Sequence, residues 1–118
     1  MKHFDSLGVM IDCSRDAVPN VERLKLFFEA IAKMGYNALM LYSEDLYEMP
    51  EYPMFGYMRG LYTKETLKEF VLYAKQRGIT MIPCIEVLAH LEHIFRWKEF
   101  RKVRDTANIL LVDEPETY

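Results

Sequence analysis

Gly78-Ile79-Thr80-Met81-Ile82-Pro83-Cys84-Ile85-Glu86-Val87-Leu88-Ala89-His90 joins a helix-stopping glycine, an apolar run and two ionisable side chains in one short segment. The run from Ile79 to Ile85 is too short for a helix of its own and reads as a strand. Glu86 and His90 then fall where that strand should end. Parallel α/β proteins assemble their sites in this manner, on short buried strands that carry polar groups into the loops at their C-terminal ends.

The same pattern recurs upstream. Leu7 to Ile11 is apolar and partly β-branched, ends at Asp12, and reads as a first strand. Val18-Pro19-Asn20 opens a helix, with Asn20 as its cap and Glu22 in the first turn. Leu24, Phe27, Phe28 and Ile31 recur at helical spacing, which predicts one buried face, and Gly35 ends the helix. Asn37 to Tyr42 reads as a second strand that delivers Ser43, Glu44 and Asp45 into a long loop. That loop runs to Tyr62 and holds Pro50, Pro53, Gly56 and Gly60 among Tyr47, Tyr52, Phe55 and Tyr57. A structureless connection of this length is usually functional; its aromatics fit a satellite core equally well. Thr63 caps a second helix with Leu67, Phe70, Val71 and Ala74 as its expected buried face, and Gly78 closes it.

The order β-α-β-α-β with near-continuous apolar strands argues for a parallel sheet. Beyond it, Asn108-Ile109-Leu110-Leu111-Val112 is apolar, and Asp113-Glu114-Pro115-Glu116 is a helix-start signal. A chain that stops at such a signal is expected to be part of a larger domain.

Composition narrows the function classes. The 118 residues are 51% apolar and 28% charged, which is globular rather than disordered. A net charge of −3, with no Lys/Arg cluster read on one face, predicts no nucleic-acid partner. No apolar run approaches the roughly 20 residues of a membrane helix, and Met1 to Ser6 lacks the apolar core of a signal peptide. A cytoplasmic location is the corresponding expectation. Cys13 and Cys84 have no metal-type spacing and read as two reduced thiols.

Each strand ends in ionisable groups: Asp12 with Arg15, Glu44 with Asp45, and Glu86 with His90. In a parallel array those ends share one rim, so a polar site is expected there. Asp12 and Arg15 are equally readable as a structural ion pair. His90-x-x-His93 lacks the i, i+4 spacing of zinc helices, so neither a metal centre nor a cofactor is expected.

These residues resemble the first part of the (β/α)8 catalytic barrel of family 20 glycoside hydrolases, the β-N-acetylhexosaminidases. Asp12-x-Ser14-Arg15-x-x-Val18-Pro19 resembles the family's first strand exit. Gly35-Tyr36-Asn37 leading to Glu44-Asp45 resembles its second strand and acidic loop. Tyr62-Thr63, Tyr73-Ala74, Gly78-Ile79 and Ala89-His90 keep the family spacing through the second helix and third strand. The resemblance implies an α/β fold, a partial TIM barrel covering the first three β-α steps over residues 1–118. It implies retaining, exo-acting hydrolysis of terminal N-acetylhexosamine, with the substrate's acetamido oxygen as nucleophile. The family's catalytic Asp-Glu pair follows the fourth strand. By the same resemblance, Asp45 and His90 support the acid through a polar network; Asp12, Arg15, Glu44 and Glu86, placed at the strand ends, are the candidate substrate contacts.

Several positions depart from the family pattern. Leu7 stands where an Arg is usual, Tyr42 where a His is common, and Cys84 where an acid is common. Glu86 replaces an Asp, and Leu88-Ala89 replaces Pro-Gly. Asp113-Glu114 spells the catalytic dipeptide, but follows the third strand too closely and reads as a helix cap. The expectation is therefore a barrel fragment, inactive alone, that self-associates to cover its open sheet. The alternative is a non-catalytic carbohydrate-binding or interaction domain derived from such a barrel. An enzyme acting on sugar phosphates is a third option that no phosphate-cradling glycine loop supports.

Overall fold

The structure is a computed structural model that describes residues 4–15 and 18–118. Three strands, β1 (Gly8–Asp12), β2 (Ala38–Ser43) and β3 (Thr80–Ile85), pair in that order, all parallel. Two helices, α1 (Val21–Lys33) and α2 (Lys64–Lys75), make the crossovers. Their starts follow the chemistry of their caps. The Asn20 side chain accepts from the Arg23 amide and Thr63 from the Thr66 amide, each satisfying a donor that a helix start leaves open.

The register fixes what each face of the sheet does. Val9, Leu39 and Met81 lie side by side, as do Ile11 and Leu41, and all pack into the core beneath the helices. Leu24, Phe28 and Ile31 from α1 and Phe70 and Ala74 from α2 complete that core. Phe28 and Phe70 are wholly buried, where truncation to Ala costs about 3–5 kcal/mol. Glu29 ties the helices together, accepting from Tyr73 Oη at 2.8 Å and Arg77 Nε at 2.6 Å. Met10, Met40 and Ile82 share a register on the opposite face, where Met10 is 51% exposed. Pro83 has no amide hydrogen to offer, and it sits in a strand that pairs on one side only among the described residues.

Three expectations need correction. Val71 lies outside the core at 49% exposure. It borders an apolar cleft of about 200 Å³ with Leu67, Met81 and Pro83 that no described element covers. The α-helix that would complete a third β-α step is absent among the described residues. After β3 the chain forms 3₁₀ segments at Ile94–Arg96 and Lys98–Val103, and the helix-start signal yields only a 3₁₀ turn at Pro115–Thr117. The basic residues are also not scattered. A 3₁₀ helix repeats every three residues, so Lys98 and Arg101 stack along one exposed edge.

The long loop is closed at its neck by a bridge between Tyr47 and Tyr62, with Tyr62 N donating to Leu46 O at 2.8 Å. Phe55 from this loop packs with Leu91, Ile94, Phe95, Phe100 and Val103 into a second core, joined at its edge by Tyr47 and Trp97. The aromatics thus form the satellite core that their clustering suggested. Gly56 permits the fold-back. At its φ of +69°, a Cβ would meet the Asp45 carbonyl oxygen at 2.3 Å, so any side chain there forces the backbone to move.

Candidate active-site rim

Parallel pairing brings the C-terminal ends of β1, β2 and β3 to one edge, with Asp12, Tyr42 and Cys84 in register. At the β1 exit, Asp12 Oδ1 accepts from the Ser14 amide at 2.8 Å and from the Ser14 hydroxyl. The hydroxyl bond is the main reason its carboxyl is held below the usual carboxylate range. Ser14 Oγ in turn accepts from Arg15, whose Nη1 also reaches Glu44 Oε1 at 3.0 Å. The bond to Glu44 raises the guanidinium's proton affinity.

Glu44 is buried at 1% exposure while Arg15 stays 59% exposed, so the arginine closes over the carboxylate from the solvent side. Tyr42 Oη lies 3.4 Å from the same Glu44 oxygen. Burial, followed by the charges of Glu86 and Glu44, pushes the Tyr42 phenol up to about 12, so it stays protonated and able to donate. The second oxygen of Glu44, Oε2, is buried without a hydrogen-bond partner among the described residues. Glu86, whose amide donates to Ser43 O at 3.0 Å, supplies the third strand's carboxylate to this group.

Asp12, Arg15, Glu44 and Glu86 therefore meet on one rim, with Tyr42 between the last two. Asp45 lies one residue on, yet belongs to a different layer. It is 2% exposed and accepts from Arg59 Nε at 3.3 Å. Arg59 Nη2 also donates to the backbone carbonyl of Ser14. One buried guanidinium thus binds the β1 exit, the β2 exit and the long loop together. His90 is exposed at a φ of +58°, and no hydrogen bond joins it to Asp45 among the described residues. Geometry brings four of the six expected residues together, buries the fifth behind them, and leaves His90 apart.

Arg59 was not anticipated. Its signal is that it stands as the lone cation between Ser43 and Tyr62, against four acids. The thiols differ in setting: Cys13 is buried, and desolvation with the Asp12 charge raises it to about 11, while Cys84 is half-buried on the open face. Asp113 is exposed, and the Glu114 carboxylate accepts from the Glu116 amide, which is the cap expected of that dipeptide.

The sequence profile of the glycosyl hydrolase family 20 catalytic domain matches residues 4–112. The chain belongs to that family. It is similar to a β-hexosaminidase of Vibrio furnissii, at 28% identity over 74% of this chain and 18% of the relative. A β-hexosaminidase of Akkermansia muciniphila is 32% identical over 70% of this chain and 20% of the relative. The chain thus spans about a fifth of the length of these curated relatives. In fold, this family 20 chain superposes on the exo-β-N-acetylglucosaminidase of Vibrio harveyi, solved with N-acetylglucosamine, with a TM-score of 0.83 at 21% identity. That match covers 98% of this chain and 24% of the other. The Flavobacterium johnsoniae chitobiase gives 0.82 at 23% identity, over 98% and 20% of the two chains. The three-stranded parallel sheet with its helices is accordingly part of a TIM barrel, whose open Met10–Met40–Ile82 face corresponds to the barrel interior.

Replacing Arg59 by Ala strands the Asp45 carboxylate in a buried site, at a cost of about 3–5 kcal/mol. Guanidinium unfolding of Arg59→Ala should show that loss, while the double variant Arg59→Met with Asp45→Leu should lose much less. A single-variant loss below about 1 kcal/mol would mean that the pair is not a structural tie.

Proposed function

We propose that this chain is the opening part of a hydrolase barrel that removes terminal N-acetylhexosamine by a substrate-assisted, retaining mechanism. The reading is carried by the gathering of Asp12, Arg15, Tyr42, Glu44 and Glu86 on one rim of a family 20 chain. Carboxylates and a guanidinium are suited to sugar hydroxyls, which both donate and accept. Glu44 Oε2, buried without a donor among the described residues, is the acceptor for one such hydroxyl, and Arg15 donates to its neighbour. Asp12 and Glu86 contact the ring from the flanking strands. Asp45 supports the acid's proton affinity from its buried position behind the rim, the role that the family resemblance also gives to His90.

In this reading, the acetamido oxygen attacks the anomeric carbon, and a carboxyl group outside these 118 residues gives its proton to the leaving oxygen. The chain alone binds N-acetylglucosamine weakly and does not turn over substrate. Calorimetric titration should show Glu44→Gln weakening the binding of N-acetylglucosamine by about tenfold, the value of a hydrogen bond to a charged group. Unchanged affinity would remove Glu44 from the site. A chromogenic N-acetylglucosaminide should remain uncleaved; turnover that vanishes in Asp113→Ala would place the catalytic pair at Asp113-Glu114 instead.

The same reading accounts for the open sheet. The chain exposes 8032 Å², against about 6,700 Å² for a compact protein of its mass. Met10 and Met40 contribute to that excess, and copies of the 118-residue chain associate to cover it. Light scattering after size exclusion should give a mass above 14.0 kDa. A monodisperse, folded monomer at high concentration would contradict this.

A further inference from the structure

The segment Arg96-Trp97-Lys98-Glu99-Phe100-Arg101-Lys102-Val103-Arg104 carries five cations and one acid in a chain whose net charge is −3. Its fold separates the two chemistries. Phe100 and Val103, three residues apart on the 3₁₀ helix, are buried in the second core. Lys98 and Arg101, also three apart, are exposed, with a rise of about 6 Å between them. Lys102 is neutralised by Glu116 and Arg104 donates to Thr106 O, whereas Lys98 and Arg101 make no ion pair among the described residues. Arg96 is fixed, with Nη2 donating to Tyr57 O at 2.9 Å and its guanidinium 4.8 Å from the Trp97 ring centroid.

These cations line an open cleft of about 520 Å³ with Met54, Trp97 and Glu99. Glu99 also lines a second cavity of about 240 Å³, together with Tyr47, Tyr52, Phe100 and Glu86. Glu86 is the rim carboxylate beside Tyr42. Glu99 thus lines both cavities, one reaching the rim carboxylate Glu86 and the other carrying Arg96, Lys98 and Arg101.

We infer that this cleft binds an anionic sugar unit, sulfated or carboxylated, of the glycan whose terminal residue sits on the rim. The inference rests on the carbohydrate reading above, because it is the connection through Glu86 and Glu99 that selects a glycan over other polyanions. Aromatic walls suit the apolar faces of pyranose rings, and clustered guanidinium and ammonium groups suit sulfate or carboxylate. Within the cationic cleft itself, Trp97 packs against Tyr57 and Arg96 and is not a free stacking platform for a nucleic-acid base.

The test is a calorimetric comparison of a heparin-derived tetrasaccharide, a hyaluronan tetrasaccharide and neutral chitotetraose on the 118-residue chain. At least one anionic sugar should bind about tenfold or more tightly than the neutral one, and the difference should shrink as salt is raised. Which anionic sugar gains more separates sulfate from carboxylate recognition. The double variant Lys98→Glu with Arg101→Glu, at exposed positions that the fold does not use, should abolish the difference. Lys64→Glu, which changes charge elsewhere on the surface, should leave it intact. Equal binding of charged and neutral sugars would overturn the inference, as would an equal loss in Lys64→Glu. So would a single-stranded oligodeoxynucleotide of matched charge binding as tightly as the anionic sugars. Binding of N-acetylglucosamine monosaccharide reports on the rim alone, so the two readings can fail separately.

Discussion

The buried contact of Arg59 with Asp45 and with the Ser14 carbonyl is the constraint on which the site depends. Hydrogen bonding within the sheet aligns β1 with β2 but says nothing about the loops beyond them. Those loops carry the rim side chains, and a polar segment of this length would otherwise be free to sample many conformations. A guanidinium taken out of water must satisfy its donors with fixed partners. By doing so it fixes the turn that presents Asp12 and Arg15 relative to the strand that presents Glu44. Gly56 lets the loop fold close enough for Arg59 to reach inward, and the Tyr47–Tyr62 bridge shuts the neck behind it.

The rim then has two layers with different duties. The inner layer, Asp45 with Arg59, is desolvated and rigid. The outer layer, Asp12, Ser14, Arg15, Glu44 and Tyr42, is a chain of hydrogen bonds with the exposed Arg15 as its central link, and it leaves Glu44 Oε2 without a partner among the described residues. A buried acceptor without a donor is costly in a resting protein, and among the described residues Glu44 Oε2 is such an acceptor. The departures from the family pattern fall unevenly on this arrangement. Tyr42 sits within it and holds a proton firmly, whereas Leu7 lies before the opposite end of β1, exposed and remote from the rim.

Much of the fold was legible because its signals are local. Asn20 and Thr63 cap where their chemistry predicts, the glycines at 35 and 78 turn the chain at positive φ, and strand limits shift by only a residue. What failed depended on neighbours. Val71 has the spacing of a core residue, but packing requires a partner, and none of the described elements lies over it. The basic edge of Lys98 and Arg101 escaped notice because a period of three matches neither the helical nor the strand template. In the site, the rim carboxylates were readable from strand ends. Arg59 was not, because a lone arginine in a loop reveals nothing of its burial until the loop folds back. For His90, the family resemblance implies a role beside Asp45, whereas the structure places it exposed and at positive φ.

The central claim is that three parallel strand ends jointly hold a sugar. It is tested most directly by following backbone amide resonances of the 118-residue chain as N-acetylglucosamine is added. The account predicts shifts concentrated at Asp12 to Arg15, Tyr42 to Asp45 and Glu86, with little change at Gly8, Ala38 and Thr80 at the other end of the same strands. Shifts centred on that opposite end, or none at the rim at saturating sugar, would contradict it.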